Sequence, residues 1–388
     1  MYLKKIQRLV SESVLPFRLI HVNRRSAGSM EASRLVDKVF EYVQSNRVPG
    51  GDPAYYFNRS ADEPVLYASC YAALTLSLLG KLSGLSDLEK KRWSQYLMTF
   101  QCEDGLFRDH VINNDLSETA DWWGTRLLTV HVLMALASLD QKAPRPFKII
   151  QQYKSRGRIS EWLSQLDWCH NADFSSNAVQ NLGCLLQYAR DFQNDREAAE
   201  ALDEMFSWFD RFQDPDTGLW GGAGKTRRAL SRSVQAFYHI ALLYFYDHRR
   251  LNVVPRIIDS LIATQNLIGG FGVRWSSSAC EDIDTLDPLL RLGTGSAYRS
   301  EDIRKTIDKA IPWVMANMNE DGGFVFRRCT DFEYGHPKMY AGIDQSSMFA
   351  TWFRTLSLAL AGYYCKDTWI GQYPWNFIRC PGMQFIGI

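Results

Sequence analysis

The chain of 388 residues has almost no charge imbalance, with 44 Lys and Arg against 43 Asp and Glu. That excludes a chain that binds nucleic acid through overall charge and an acidic disordered protein. Its eight cysteines include no CxxC pair and no spacing suited to a structural zinc site, so they read as reduced, mostly buried thiols. No apolar run reaches the length of a membrane span, and the N-terminus lacks the core and cleavage site of a signal peptide. A cytoplasmic location is the resulting expectation. Also missing are HExxH or HxxxH metal spacings, a DDxxD run, a P-loop, a GxGxxG fingerprint and a nucleophilic serine elbow. Hydrolases, kinases and dehydrogenases built on those motifs are thereby set aside. For metals the expectation is none, with magnesium entering only beside a diphosphate; a zinc site from Cys280, Asp282 and His336 is a poor match to known spacings.

What the chain does have is a recurring phrase. Gln101-Cys-Glu-Asp-Gly-Leu-Phe107, Gln213-Asp-Pro-Asp-Thr-Gly-Leu-Trp220, Gln265-Asn-Leu-Ile-Gly-Gly-Phe271 and Asn319-Glu-Asp-Gly-Gly-Phe324 recur with a period of about 54 residues. A degenerate copy, Asp167 to Phe174, fills the long gap between the first two, and Pro49-Gly-Gly-Asp-Pro is an earlier relic. Around each turn stand a charged amphipathic stretch and then a stretch apolar nearly all round. The first kind are Ser33–Ser45, Asp87–Phe100, Pro146–Leu166, Asp195–Phe212, Leu251–Gln265 and Glu301–Met318; Ile303, Ile307, Ala310, Ile311 and Val314 form one helical stripe. The second kind are Val65–Leu79, Asp121–Leu139, Ser175–Tyr188, Ser231–Tyr246, Asp284–Leu292 and Gln345–Tyr363. A stripe calls for one buried face and all-round apolarity for burial on every side, so two concentric rings satisfy both. The expected fold is all-α, an (α/α)6 toroid of six helical hairpins.

The phrase and the outer-then-inner order resemble the α/α-toroid superfamily of squalene and oxidosqualene cyclases, class II terpene cyclases and protein prenyltransferase β subunits. The resemblance covers residues 30–365 as one toroid domain. It leaves 1–29 as a basic amphipathic arm and 366–388 as an aromatic tail packing on the toroid. The arm, with Lys4, Lys5, Arg8, Arg18, Arg24 and Arg25 among apolar residues, suits either peripheral contact with anionic lipid or an extra packed helix.

Chemistry is expected where inner-helix starts bring polar residues to a central cavity. Glu281-Asp282-Ile283-Asp284-Thr285-Leu286-Asp287 places four carboxylates within seven residues, which repel one another unless some are protonated or paired. A carboxylic acid kept neutral in a dry aromatic cavity can protonate an alkene or epoxide; the competing reading is helix capping by the same residues. The segment Asp282-Ile-Asp284-Thr285 resembles the acid motif of class II terpene cyclases. That resemblance implies Asp284 as proton donor, with Asp282 and Asp287 tuning it, in protonation-initiated cyclisation of an isoprenoid, an isomerase-type reaction through a carbocation.

Trp122, Trp123, Phe174, Trp275 and Tyr340 are the aromatics expected to face such a cation. Arg227, Arg228 and Arg232, after the Gly-rich turn at 221–224, suit an anionic head group or internal pairing with the acidic unit, and Asp121 and His239 complete the candidate set. Two alternatives stand beside the cyclase. One is a carbohydrate-active toroid acting on or binding an acidic glycan, and the other is a non-catalytic prenyltransferase-like module. The expected partner is a small molecule rather than nucleic acid, with a second copy of the chain as another way to close the cavity.

Overall fold

The computed structural model describes residues 31–113, 121–222 and 226–386. The basic arm and Lys225 lie outside the described residues. Six amphipathic helices form the outer layer: α1 (Ala32–Ser45), α3 (Asp87–Met98), α5 (Arg158–Gln165), α7 (Arg196–Phe212), α9 (Val254–Ala263) and α11 (Ser300–Met315). Each buries one stripe, as α1 does with Leu35, Val36, Val39, Tyr42 and Val43. Six more alternate with them in the chain: α2 (Leu66–Leu78), α4 (Thr125–Ser138), α6 (Ala172–Phe192), α8 (Arg227–Tyr246), α10 (Ala279–Gly293) and α12 (Met348–Tyr364). Every residue of α2 is buried, as all-round apolarity requires. These inner helices pack in sequence order, and α12 returns against α2 to close the ring. The fold is an (α/α)6 toroid.

The turn phrase fastens each unit to the next. The side-chain amide of Gln101 donates to Gly105 O at 2.9 Å within its own turn and to Arg145 O at 3.3 Å in the following unit. Gln265 does the same to Gly269 O and Thr306 O, at 3.1 and 2.8 Å. The glycine is required twice over. Gly322 has φ +88°, and a Cβ there would stand 2.1 Å from Lys38 O of α1, so only a bare backbone lets the last unit meet the first. The aromatic that ends the phrase donates its amide to an inner helix: Phe107 to Thr129 Oγ1, Phe324 to Thr351 Oγ1 and Phe271 to Asp282 Oδ1. Asp282 thus occupies a structural position that threonine fills in two other units.

Differences from the sequence reading are local. Helix α10 begins at Ala279 rather than near Asp284, because Ser278 and Glu281 form a capping box. Between α11 and α12 a short antiparallel pair, β1 (Phe332–Glu333) and β2 (Tyr340–Ala341), brings Tyr334 to the mouth of the ring.

Candidate functional site

Cavity walls come from the first turns of α4, α6, α10 and α12, the middle of α8, the β1 strand region and the C-terminal segment. The cavity has a volume of about 290 Å³, at the small end of ligand pockets. One wall is aromatic: Trp122, Phe174, Tyr238, Tyr334, Phe349 and Phe353. Another is polar, with Asp173, Asn177, Gln235 and His239. Cys280, Asp284, His131, Leu127 and Met383 complete the lining. Met383 comes from a segment tied into the ring's interior, where Gln384 accepts from Trp352 Nε1 at 2.8 Å and donates to Leu74 O at 3.0 Å.

The four clustered carboxylates separate by what holds them. Glu281 closes the capping box through Ser278 and accepts from Arg327 Nη2 at 2.7 Å. Asp282 accepts from Arg354 Nη1 at 2.8 Å, Trp313 Nε1 at 2.7 Å, Ser277 Oγ at 2.6 Å and the Phe271 amide at 3.1 Å. Burial pushes its carboxyl up, and Arg354 draws it back down. Asp287 Oδ1 accepts from Arg291 Nε at 2.6 Å. Asp284 is different. It is 3% exposed, lines the cavity, and takes no hydrogen bond or ion pair from any described side chain. Burial first, then the charges of Glu281, Asp282 and Asp287, hold its carboxyl well above the usual range. Its protonated form is thereby favoured, and it faces the cavity.

On the polar wall, Arg232 grips Asp173 Oδ1 through Nε and Nη2 at 3.1 and 2.6 Å. His239 Nδ1 lies 2.9 Å from Ser176 Oγ, which itself donates to Asp173 O at 3.0 Å. Burial lowers His239 to about 4, with Asp173 opposing, so the ring is neutral. His131 is lowered to about 4 by burial as well, and its Nδ1 donates to Leu127 O at 2.9 Å.

Of the residues expected at the site, Asp284, Trp122, Phe174 and His239 meet at the cavity. Asp282 and Asp287 stand behind it in ion pairs. Arg227 donates to Gly272 O and Thr264 O, and so secures the fifth turn rather than an anion. Arg228 is exposed and away from the cavity lining, and Arg232 reaches the cavity edge through Asp173. Instead of pairing with the acidic fifth unit, Arg232 reaches back to Asp173 of the third unit. Asp121 pairs with Arg126 and accepts from Asn181. Trp123 packs against Gly335 and His336, while Trp275 and Tyr340 are 44% and 46% exposed and line no part of the cavity. Among the described residues, no group of three or more His, Cys, Asp or Glu is placed to hold a metal ion. Cys280 lines the cavity while His336 stacks on Trp123.

Sequence reasoning passed over Arg354, Tyr238, Tyr334, Phe353 and Met383. Arg354 carried a signal: one guanidinium inside an otherwise apolar inner helix implies a buried counterion.

No protein-family model matches the chain, and no curated protein matches it. Solved structures similar to it include a polysaccharide lyase, at 13% identity and TM-score 0.48, covering 85% of this chain and 96% of that one. Another is a glycosyl hydrolase of family 88 from Bacteroides vulgatus, at 13% identity and TM-score 0.48, covering 86% and 99%. Both are named as carbohydrate-processing enzymes. Neither is named as a terpene cyclase, and the expectation of one in isoprenoid biosynthesis is corrected at the site. The site supplies its own physical reason: Asp173, Asn177, Gln235 and His239 line the cavity, and a hydrocarbon beside them would meet none of the hydrogen-bonding capacity left over from their bonds within the chain. Among the described residues no helix is long and apolar enough to cross a membrane.

Proposed function

We propose that this chain is a carbohydrate-active enzyme in which Asp284 is the general acid, acting on a sugar held between the aromatic and polar walls. The observation that carries the reading is the isolation of Asp284: of four neighbouring carboxyls it alone lacks a partner and faces the cavity. A neutral carboxylic acid donates its proton to a glycosidic oxygen or to an electron-rich ring carbon, and the raised proton affinity of Asp284 favours that loaded form. The polar wall offers partners for sugar hydroxyls, and rings such as Trp122 and Phe174 present flat faces to the C–H face of a pyranose. Hydrolysis by two carboxyls acting as an acid and base pair within the cluster is disfavoured, since Glu281, Asp282 and Asp287 are all engaged by arginines.

The test is incubation of the full chain with uronate-containing oligosaccharides, saturated and unsaturated, with products followed by chromatography and mass spectrometry. Wild type is expected to convert at least one of them. Asp284→Asn, with an unchanged circular dichroism spectrum, is expected to be slower by a factor of about 10²–10⁴. Equal turnover by both proteins, or conversion of isoprenoids and of no glycan, overturns the proposal.

A further inference from the structure

An acid that gives up a proton leaves a reaction half finished, because the water that completes a hydrolysis or hydration must lose one. Two neutral imidazoles line the cavity, and of them His131 is 1% exposed while His239 is partly exposed, which makes His239 the accessible one. His239 sits in the middle of α8, the helix packed beside α10, and lines the same cavity as Asp284. Its Nδ1 is fixed from α6 by Ser176 Oγ at 2.9 Å. Ser176 Oγ also lies 3.0 Å from Asp173 O, and a hydroxyl hydrogen directed there leaves only lone pairs for His239, which puts the ring's hydrogen on Nδ1 and leaves Nε2 as an acceptor. No described side chain engages Nε2, and the residue is only partly buried and lines the cavity.

We propose that His239 is the proton acceptor of this site, taking through Nε2 the proton of the water that attacks the sugar after Asp284 has protonated it. The inference rests on the reading of Asp284 as the acid. In the first step the Asp284 O–H bond breaks as its proton bonds either to the glycosidic oxygen, whose C–O bond then breaks and releases the alcohol, or to a ring carbon of an enol-ether C=C bond, whose π pair forms the new C–H bond; each route leaves a carboxylate and an oxocarbenium ion. In the second, a water oxygen bonds to the cationic carbon while its O–H proton passes to Nε2. The site ends with an aspartate and an imidazolium, and one proton exchanged through solvent restores both. The neutral state of the ring supports the assignment, since burial keeps the imidazole unprotonated at neutral pH. Ser176 is then a positioning residue: it fixes the tautomer and touches no substrate.

Two measurements test this. Proton–nitrogen NMR correlations on the isotopically labelled full chain report the tautomer without any substrate, and are expected to show hydrogen on Nδ1 of His239 and a bare Nε2. Loss of that pattern is expected in Ser176→Ala. With the oligosaccharide found for wild type, His239→Gln is expected to lower kcat about a hundredfold with KM little changed. Hydrogen on Nε2 overturns the proposal. So does wild-type turnover by His239→Gln while Asp284→Asn is dead, an outcome that leaves the general acid standing. Failure of wild type to turn over any glycan removes both.

Discussion

Asp282 and Asp284 stand two residues apart on α10, 1% and 3% exposed, and their situations could hardly differ more. Asp282 is gripped by Arg354, Trp313, Ser277 and the Phe271 amide, at a position where other units use threonine to receive the turn's aromatic. Asp284 has none of these and faces a cavity. Burial alone therefore does not make a buried carboxyl a reagent. With donors and a counterion it is a strut; without them it stays protonated and available.

The strut gives the largest expected effect. Arg354 is fully buried and also donates to Val325 O and Phe326 O, so it ties α10, α12 and the sixth turn together. Arg354→Leu leaves Asp282 buried without its counterion, and is expected to cost about 3–5 kcal/mol in chemical denaturation. The double change with Asp282→Leu is expected to recover part of that loss, because no buried charge remains. Denaturation of Arg354→Leu at the wild-type midpoint would erase the distinction between the two carboxyls.

Next in size is the ring that holds both. Gly322→Ala places a Cβ against Lys38 O at a left-handed backbone position and is expected to cost about 1–3 kcal/mol, whereas Gly51→Ala, with open space around it, should stay within about 0.5 kcal/mol. Similar losses in the two variants would mean that the turn glycines do not set the ring closure.

The toroid was legible because its rule is local and repeated. The Gln, the turn glycine and the closing aromatic each make the same contacts in several units, so the phrase spells out the join every time it recurs. The degenerate third copy works by another local device: Asp167 accepts from the amides of Cys169 and His170 in place of a glycine turn. The acidic cluster was legible as a place, and Asp284 as its leading candidate. What each neighbour does was not. The partner of Asp282 lies 72 residues away on α12, and no spacing within the cluster announces it. Nor could the aromatic candidates be sorted: Trp275 and Trp122 both flank inner-helix starts, yet the first points outward and the second lines the cavity. The start of α10 was available in principle, since Ser278-Ala-Cys-Glu281 is a capping-box sequence that fixes the first turn ahead of Asp284.

The smallest effect separates the two aspartates most cleanly, because it is read as stability rather than activity. The folded chain holds Asp284's carboxyl above the ordinary range, while in the unfolded chain it titrates near pH 3.9. Below that value both states carry the proton and the group has no effect on the pH dependence. As pH rises above it the unfolded chain releases the proton and the folded chain keeps it, so the unfolded state binds fewer protons and stability falls. The slope is about 1.4 kcal/mol per pH unit until the folded carboxyl also ionises. Asp284→Asn removes that slope and leaves Asp282 and Asp287 in place. The variant is therefore expected to match or trail wild type near pH 3 and to gain on it in paired denaturation curves as pH rises from about 4 until the folded carboxyl ionises. A stability difference that stays flat over this range would mean that Asp284 is ionised in the folded chain and has no proton to give.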